Sequence, residues 1–408
     1  MLFAGIDWSD ESLEFELRTG DGDVLEEGKV STKPKGLIEL FNRLDRHAPA
    51  DQIGIAIEAT RAVWIQSLLD HGFTVYPLHP ASVDSFRKAR SAAGSKSDKI
   101  DRRTIAMYLA TFCAELRPLR PDDPAIVSLR LACEDRLRLV EEHTAKVNAL
   151  QAMLKQYCPF FLDFFGSISS RIALTFLQAF PTQNQMRGLS ARTLRAWLKR
   201  RKYPHRRRID AMVQRLTAPV LHVADHLQVA KAPQLVFLAR SLMTLNEAIE
   251  RQDTFIIEQF NALPESHWVR SIPGAGKVLA PAVLAVVGRD PERFNGPAQA
   301  AGLVGTAPVT FASGKSKQVR FRRSCWKFAR RTFQLLAEQS RLAGCRWVTM
   351  LYDRLRASQR GHHEALRAIA HKWLKIILAM KRNGTPYDES YFINSQTRHL
   401  SHTDAQGT

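Results

Sequence analysis

The sequence predicts an α/β domain at the N-terminus, a helical middle and a mainly α C-terminal domain. Three observations carry this. Over residues 1–118, short apolar runs alternate with helix-period segments, as strands interleaved with helices do. Residues 119–262 hold long stretches at helical or heptad spacing with charges between. Residues 263–388 open on a glycine-rich turn and continue as basic, helix-length blocks, and residues 389–408 read as a poorly ordered tail.

Leu2–Trp8 (LFAGIDW) is an apolar run broken by Asp7 and reads as a strand. Leu13–Arg18 alternates, and Val24–Val30 follows a GDGD turn, so three hairpin-like strands come first. Pro34 and Lys35 open a helix through Arg46. Residues 52–60 (QIGIAIEAT) have a buried-strand pattern ending in Glu58. A helix over 61–72 stops at Gly72, a strand follows in 73–80, and Ala81–Arg90 is helical. After a break at Gly94 and Ser95, a helix runs from about Ser97 to Leu116, and Arg117–Pro124 (RPLRPDDP) is a linker.

From Ile126 to Tyr157, Leu129, Cys133, Leu137, Val140, Val147, Leu150 and Leu154 mark one amphipathic helix. Leu235–Phe260 can pair with it, as an antiparallel coiled coil or as an ordinary core pair. Between them, residues 158–230 are mixed and read as an inserted basic helical segment. They include LKRRKYPHRRR (198–208), which is either an exposed nucleic-acid contact or a solvated face. In SIPGAGKVLAPAVLAVVG (271–288), Gly274 and Gly276 form a tight turn before a small-residue helix. The P-loop pattern GxxxxGK[ST] is absent. A helix-hairpin-helix turn, its backbone N–H groups near a DNA phosphate, is the better reading. FASGKSKQVRFRR (311–323) reads as a basic loop, and helices at about 322–342, 344–358 and 362–382 follow.

The 408 residues carry a formal net charge of +19, unevenly spread. Residues 1–110 hold 14 basic and 17 acidic side chains, a net of −3, leaving +22 for the remainder. Ala301–Arg382 alone has 18 basic and 3 acidic residues. A near-neutral front and a cationic back point to a polyanion, nucleic acid foremost. The early acidic residues do not fit a secretory signal. The longest apolar run, Val278–Val287, is half of what a membrane helix needs. Five scattered cysteines suit a reducing compartment and argue against a disulfide framework or structural zinc. The expectation is a cytoplasmic, nucleoid-associated protein with no membrane partner.

Asp98 and Asp101 lie three apart on a helix and share a face. Lys96, Lys99, Arg102 and Arg103 offer a purely structural neutralisation of that pair. Asp7 and Glu58 weigh against it, because each interrupts an apolar strand, where a carboxylate is costly unless paired or metal-bound. An acid in the first strand, another at a later strand end and a pair on a following helix make the layout of an RNase H-like nuclease site. Four convergent oxygen donors suit Mg²⁺, two ions of which can serve phosphoryl transfer.

At these residues the chain resembles the DEDD transposases of the insertion-sequence one-ten group, the bridge-RNA-guided recombinases. Gly5-Ile6-Asp7 matches the opening strand, and Ile57-Glu58-Ala59-Thr60, with Trp64 behind it, matches the second acidic motif. Lys96-Ser97-Asp98-Lys99-Ile100-Asp101 matches the third, with Arg102 where the family has Ala. Ser271–Gly276, Gln299–Leu303 and Gly384–Asp388 match the C-terminal domain, while Cys325-Trp326 stand where many members have Gly-Asn. The resemblance implies a RuvC-like domain, a coiled coil and a transposase domain with a nucleophilic serine, here Ser313 before Gly314. It implies a covalent phosphoserine–DNA intermediate, with catalysis by Asp7, Glu58, Asp98, Asp101 and Ser313 and Mg²⁺ at the four acids. Lys96, Lys315, Lys317, Arg320, Arg322, Arg323, Arg330 and Arg331, with Gly274 and Gly276, are the expected nucleic-acid contacts.

The expected partners are double-stranded DNA (element ends and target), a noncoding guide RNA and further copies of the chain, as a dimer or a synaptic tetramer. The expected function is excision and insertion of the chain's own mobile element. The alternatives are a site-specific DNA invertase of the same family, a RuvC-like metal-dependent nuclease without serine chemistry, and a nucleic-acid-binding protein without chemistry.

Overall fold

The computed structural model describes residues 1–58, 63–90, 97–120, 123–294, 296–314 and 316–390. The Gly94/Ser95 break and the tail from residue 391 on lie outside the described residues. The chain divides into two compact units, Met1–Pro121 and Asp122–Thr408.

In chain order the first unit contains β1 (Leu2–Trp8), β2 (Ser12–Arg18), β3 (Val24–Ser31), α1 (Pro34–Leu44), β4 (Ile53–Ile57), α2 (Val63–His71), β5 (Thr74–Pro77), α3 (Pro80–Arg90) and α4 (Asp98–Phe112). The strands form one sheet in the order β3-β2-β1-β4-β5. Short turns make β1/β2 and β2/β3 antiparallel, while the helical crossovers make β1/β4 and β4/β5 parallel. The apolar run Ile53–Ile57 is buried along its whole length, as a central parallel strand requires.

Strand alternation sorts the side chains onto two faces. Ala4, Ile6, Ile53, Ile55 and Ile57 pack with α1 and α2 around Leu40, Leu44, Trp64 and Leu68. Phe3, Ala56 and Tyr76 pack on the opposite face with Val83, Ile105 and Leu109 of α3 and α4. Gly5 shares that second face. A Cβ on it would stand 2.2 Å from the Ala106 nitrogen and 2.4 Å from the Arg102 oxygen, so α4 crosses β1 in backbone contact. Arg102 then anchors α4 to the hairpin: it is buried and bonds Glu14 on β2 (3.1 Å) and Glu27 on β3 (2.8 Å).

The second unit begins with α5 (Pro124–Tyr157) and continues through α6 (Arg171–Ala179), α7 (Gln183–Arg187), α8 (Ala191–Arg200) and α9 (Arg206–Thr217) to α10 (Asp225–Asn261). Then come α11 (Ser266–Arg270), α12 (Gly276–Val287), α13 (Gly296–Val304), β6 (Val309–Ser313), β7 (Ser316–Arg320), α14 (Lys327–Leu342), α15 (Arg346–Ala357) and α16 (His362–Asn383). The long helices α5 and α10 run antiparallel and join two cores. Ile126, Leu129 and Cys133 of α5 meet Ile256 and Phe260 of α10 in one core, with α12–α16. Leu150 and Leu154 meet Leu235, Leu238 and Leu242 in the other.

Two expectations are corrected here. The second long helix starts at Asp225, not Leu235, and includes Pro233. The carbonyl that Pro233 leaves unpaired is that of Val229, a residue 68% exposed, so water can satisfy it. The helices of the inserted segment pack around an aromatic core of Phe161, Phe164, Phe165, Phe176 and Trp197. The stretch 311–323 is not a plain loop. It holds most of β6 and all of β7, an antiparallel hairpin closed by the pair Ser313–Ser316, with Gly314 at φ +54° in the turn.

Among the described residues no helix is long and apolar enough to cross a membrane. The longest apolar run is α12, buried from Leu279 to Val287 as the centre of a core.

Candidate functional site

Asp7 follows Phe3 and Gly5 on the face of β1 that α4 covers. Parallel pairing continues to Ile6–Ile57, so Glu58 leaves β4 beside Asp7, on the same face as Gly54 and Ala56. The backbone contact at Gly5 lays α4 over this edge with its first turn, Asp98 and Asp101, towards the strand ends. Ser97 caps that turn, accepting from the Ile100 nitrogen at 3.3 Å. Four acids far apart in sequence thus share one end of one sheet face, and strand parity, a bare glycine and a helix cap place them there.

The electrostatics record the convergence. Asp7 has its pKa raised to about 6, by burial first and then by the charges of Asp101, Asp98 and Glu58. Arg87, in the last turn of α3, reaches Asp101 at 3.5 Å and Asp84 at 2.5 Å. Two of the four flanking cations expected to neutralise the Asp98/Asp101 pair are directed elsewhere: Arg102 to Glu14 and Glu27, and Lys99 to Glu27 at 3.6 Å. Lys96 lies outside the described residues, as do Ala59 and Thr60. Among the described residues no three His, Cys, Asp or Glu side chains are gathered at metal-ligating distance. The acids surround Asp7 within electrostatic range without closing on a point.

Ser313 belongs to the second unit, at the tip of the β6–β7 hairpin. From Thr310 to Ser313 β6 is exposed, so no core fixes the tip. The base is fixed instead. Arg322 donates to the Ala307 carbonyl (3.1 Å), Arg330 to the Arg322 carbonyl (3.3 Å), and the Trp326 nitrogen to the Leu303 carbonyl (2.8 Å). The departure at Cys325-Trp326 is built into this base. The Trp326 indole donates to the buried Glu134 carboxylate at 3.1 Å, and Cys325 Sγ fills the space beside Gly305 that a Cβ would need.

The expected cations divide by duty. Arg320 lies over the Phe311 ring, and Arg330 and Arg367 both lie over the exposed Phe321 ring, at 4.9 Å each. Arg331 pairs with Glu141, and Arg323 is exposed. Lys315 and the Lys317 side chain lie outside the described residues.

Gly274 and Gly276 also differ from each other. A Cβ on Gly274 would strike the Gln339 carbonyl carbon at 2.4 Å, so this glycine packs the turn on α14. Gly276 has open space around it. Ser271 Oγ accepts from the Tyr387 nitrogen at 2.7 Å and so ties the first and last C-terminal motifs together.

Sequence reading missed Gly5 as a packing residue and Arg87 as a partner of the acids. A glycine inside an apolar strand is the available signal for the first. Arg87, Lys88 and Arg90 in the last turn of α3 are the signal for the second.

Comparison with known proteins agrees with this two-part layout. A transposase family model matches residues 4–159, and a second, described as "Transposase IS116/IS110/IS902 family", matches residues 266–353. The IS117 mini-circle protein of Streptomyces coelicolor, named as a candidate transposase, is 25% identical over 77% of this chain and 78% of its own length. The 42 kDa protein of insertion element IS900 from Mycobacterium paratuberculosis is 27% identical over 74% and 76%. The 44.8 kDa protein of insertion element IS116 from Streptomyces clavuligerus is 26% identical over 78% of both. With the acidic N-terminal module and the C-terminal module present in order, the chain is a transposase of the IS110/IS116 insertion-sequence family.

Proposed function

We propose that this transposase excises and inserts its own element with a RuvC-like, RNase H-like acidic site and Ser313 as nucleophile. The observation that carries the acidic half is Asp7, a partly buried carboxyl crowded by three others. Such an accumulation of negative charge fits a divalent cation, and hard oxygen donors fit Mg²⁺. The strand order β3-β2-β1-β4-β5, with the acids on the face beneath α4, supports the RNase H-like reading. Asp7, Glu58, Asp98 and Asp101 would hold one or two Mg²⁺ ions. When bound, these supply positive charge for the phosphate and lower the pKa of an oxygen nucleophile.

In the reaction the Ser313 hydroxyl oxygen bonds to a DNA phosphorus as the bond from that phosphorus to a sugar oxygen breaks. The serine proton passes to solvent and the released sugar oxygen takes one up. Rejoining is the reverse, with a sugar hydroxyl displacing the serine oxygen. Arg320, Arg322, Arg323, Arg330 and Arg331 bring positive charge to the hairpin and the start of α14 for the phosphate backbone. Exposed Gly276, at the start of α12, remains the candidate of its pair for a backbone phosphate contact, and Gly274 is assigned to packing. Guidance by a noncoding RNA and assembly into a dimer or tetramer complete the reading, supported by the family resemblance.

The test is covalent trapping. Protein, Mg²⁺, RNA from both flanks of the gene and DNA spanning the element junctions are mixed and run on a denaturing gel, beside Ser313→Ala and Asp98→Ala. The expected result is a protein–DNA adduct with wild type only, lost when RNA is omitted. Nicking without an adduct, unchanged in Ser313→Ala, would overturn the serine step and leave a metal nuclease.

A further inference from the structure

The second unit holds a pocket of about 470 Å³ between the start of α6 and the turn joining α8 to α9. This is the stretch whose sequence, LKRRKYPHRRR, stood out for its charge and which the reaction above does not use. Arg171, Arg201, Lys202 and Arg208 line it with the Tyr203 ring, and no carboxylate lines it. Several arginines elsewhere in this unit find acids: Arg136 pairs with Asp253, Arg289 with Asp123 and Glu265, Arg341 with Glu338. Among the described residues Arg171, Lys202 and Arg208 make no ion pair. Like charges gathered without a counter-ion repel, and an anion relieves that.

The pocket is also constructed rather than incidental. Bare Gly166 lets the Arg208 guanidinium lie against the backbone, since a Cβ there would stand 2.1 Å from its Nη1. Lys202 occupies the left-handed region at φ +52°, in a turn closed by the bond from the Tyr203 nitrogen to the Leu198 carbonyl (3.1 Å). The Arg201 guanidinium lies 3.9 Å above the Trp197 ring centre, and Tyr203 rests edge-on against Phe165. Cations and an aromatic ring around a concavity of nucleotide size suit a base and its phosphate together. A duplex offers a base to a pocket only after unpairing and unstacking it, at a cost that a single strand does not bear.

We propose that this pocket binds an unpaired nucleotide of a single-stranded nucleic acid, its phosphate among Arg171, Lys202 and Arg208 and its base against Tyr203. The inference rests on the chain acting on nucleic acid and not on the acidic site or on Ser313.

The test uses the full chain with fluorescein-labelled oligouridylate, oligothymidylate and a duplex DNA. Anisotropy titrations are run across a salt series, with iodinated pyrimidines for photocrosslinking and peptide mapping. The paired change Lys202→Gln with Arg208→Gln, both exposed, is expected to weaken single-strand binding roughly tenfold. It is expected to reduce the salt slope by about 0.7, the share of one phosphate contact on a single strand. Duplex binding is expected to hold. The crosslink is expected on the peptide containing Tyr203, and Tyr203→Leu, which keeps an apolar contact with Phe165, is expected to abolish it. An adduct with oligouridylate alone identifies an RNA ligand, and one with oligothymidylate alone a displaced DNA strand; either supports the pocket. Crosslinks confined to other peptides, or equal losses on duplex and single strand, would overturn it. Asp98→Asn binding like wild type in the same titrations would keep this result separate from any failure of the acidic site.

Discussion

At the scale of one side chain, Asp7 is the carboxyl of the first unit crowded by three other acids. Its folded pKa, about 6, lies above the ordinary aspartate value of 3.8, so the folded state holds the proton more tightly than the unfolded chain does. The stability tied to Asp7 is therefore fully present below pH 3.8 and is lost as pH rises through 6. Without metal at pH 7.5 the crowded carboxylate costs on the order of 1–3 kcal/mol. Asp7→Asn is expected to raise the melting temperature in EDTA at pH 7.5 by a few degrees and to leave it unchanged near pH 4. Mg²⁺ is expected to stabilise wild type at pH 7.5 and not Asp7→Asn. Equal Mg²⁺ shifts in both proteins would show that Asp7 is no ligand. At Gly5 the effect is steric. Gly5→Ala puts a methyl into the α4 backbone and is expected to cost about 3 kcal/mol or more, read as a fall in urea midpoint.

At the scale of elements, the β6–β7 hairpin and α4 are opposites. α4 is fixed by core contacts, by Gly5 and by Arg102, and its first turn inherits that rigidity. Among the described residues the hairpin tip is exposed, and its base is held by Arg322, Arg330 and Trp326. Gly314→Val forces a β-branched residue to φ +54°, at a local cost of about 1–2 kcal/mol. Because the tip adjoins no core, the melting temperature is expected to move by less than about 2 °C. Strand transfer is expected to fall about tenfold or more if the tip carries the nucleophile. Unchanged transfer in a junction-DNA assay would argue against Ser313 in that role.

The whole molecule is electrically two-sided along its sequence, with −3 in residues 1–110 and +22 beyond. Binding to duplex DNA is expected to lose about 100-fold or more in affinity between 50 and 200 mM salt, as several phosphate contacts require. A flat salt dependence in equilibrium titrations would show that the cations are solvated rather than engaged. Much of the second unit was hard to read for a related reason. Residues 158–230 interleave aromatic core positions with arginines, so Phe161, Phe176 and Trp197 were obscured by the charges that surround them. The hairpin was missed because Ser, Lys and Gln fill positions where exposed strands carry no apolar alternation.

The sequence by itself determined the order of elements in the first unit, the two acidic strand ends, the aspartate pair on α4 and the cationic back of the chain. Those rest on period, charge and turn chemistry, which are local. Only the tertiary structure decided that Asp7 and Glu58 lie on the face α4 covers, because sheet parity and the bare backbone at Gly5 act across some hundred residues of chain. It also decided that Gly274 packs while Gly276 stays open, and that Arg102 docks α4 rather than neutralising its aspartates. Spacing cannot show these outcomes, because each depends on which backbone arrives beside it in the fold.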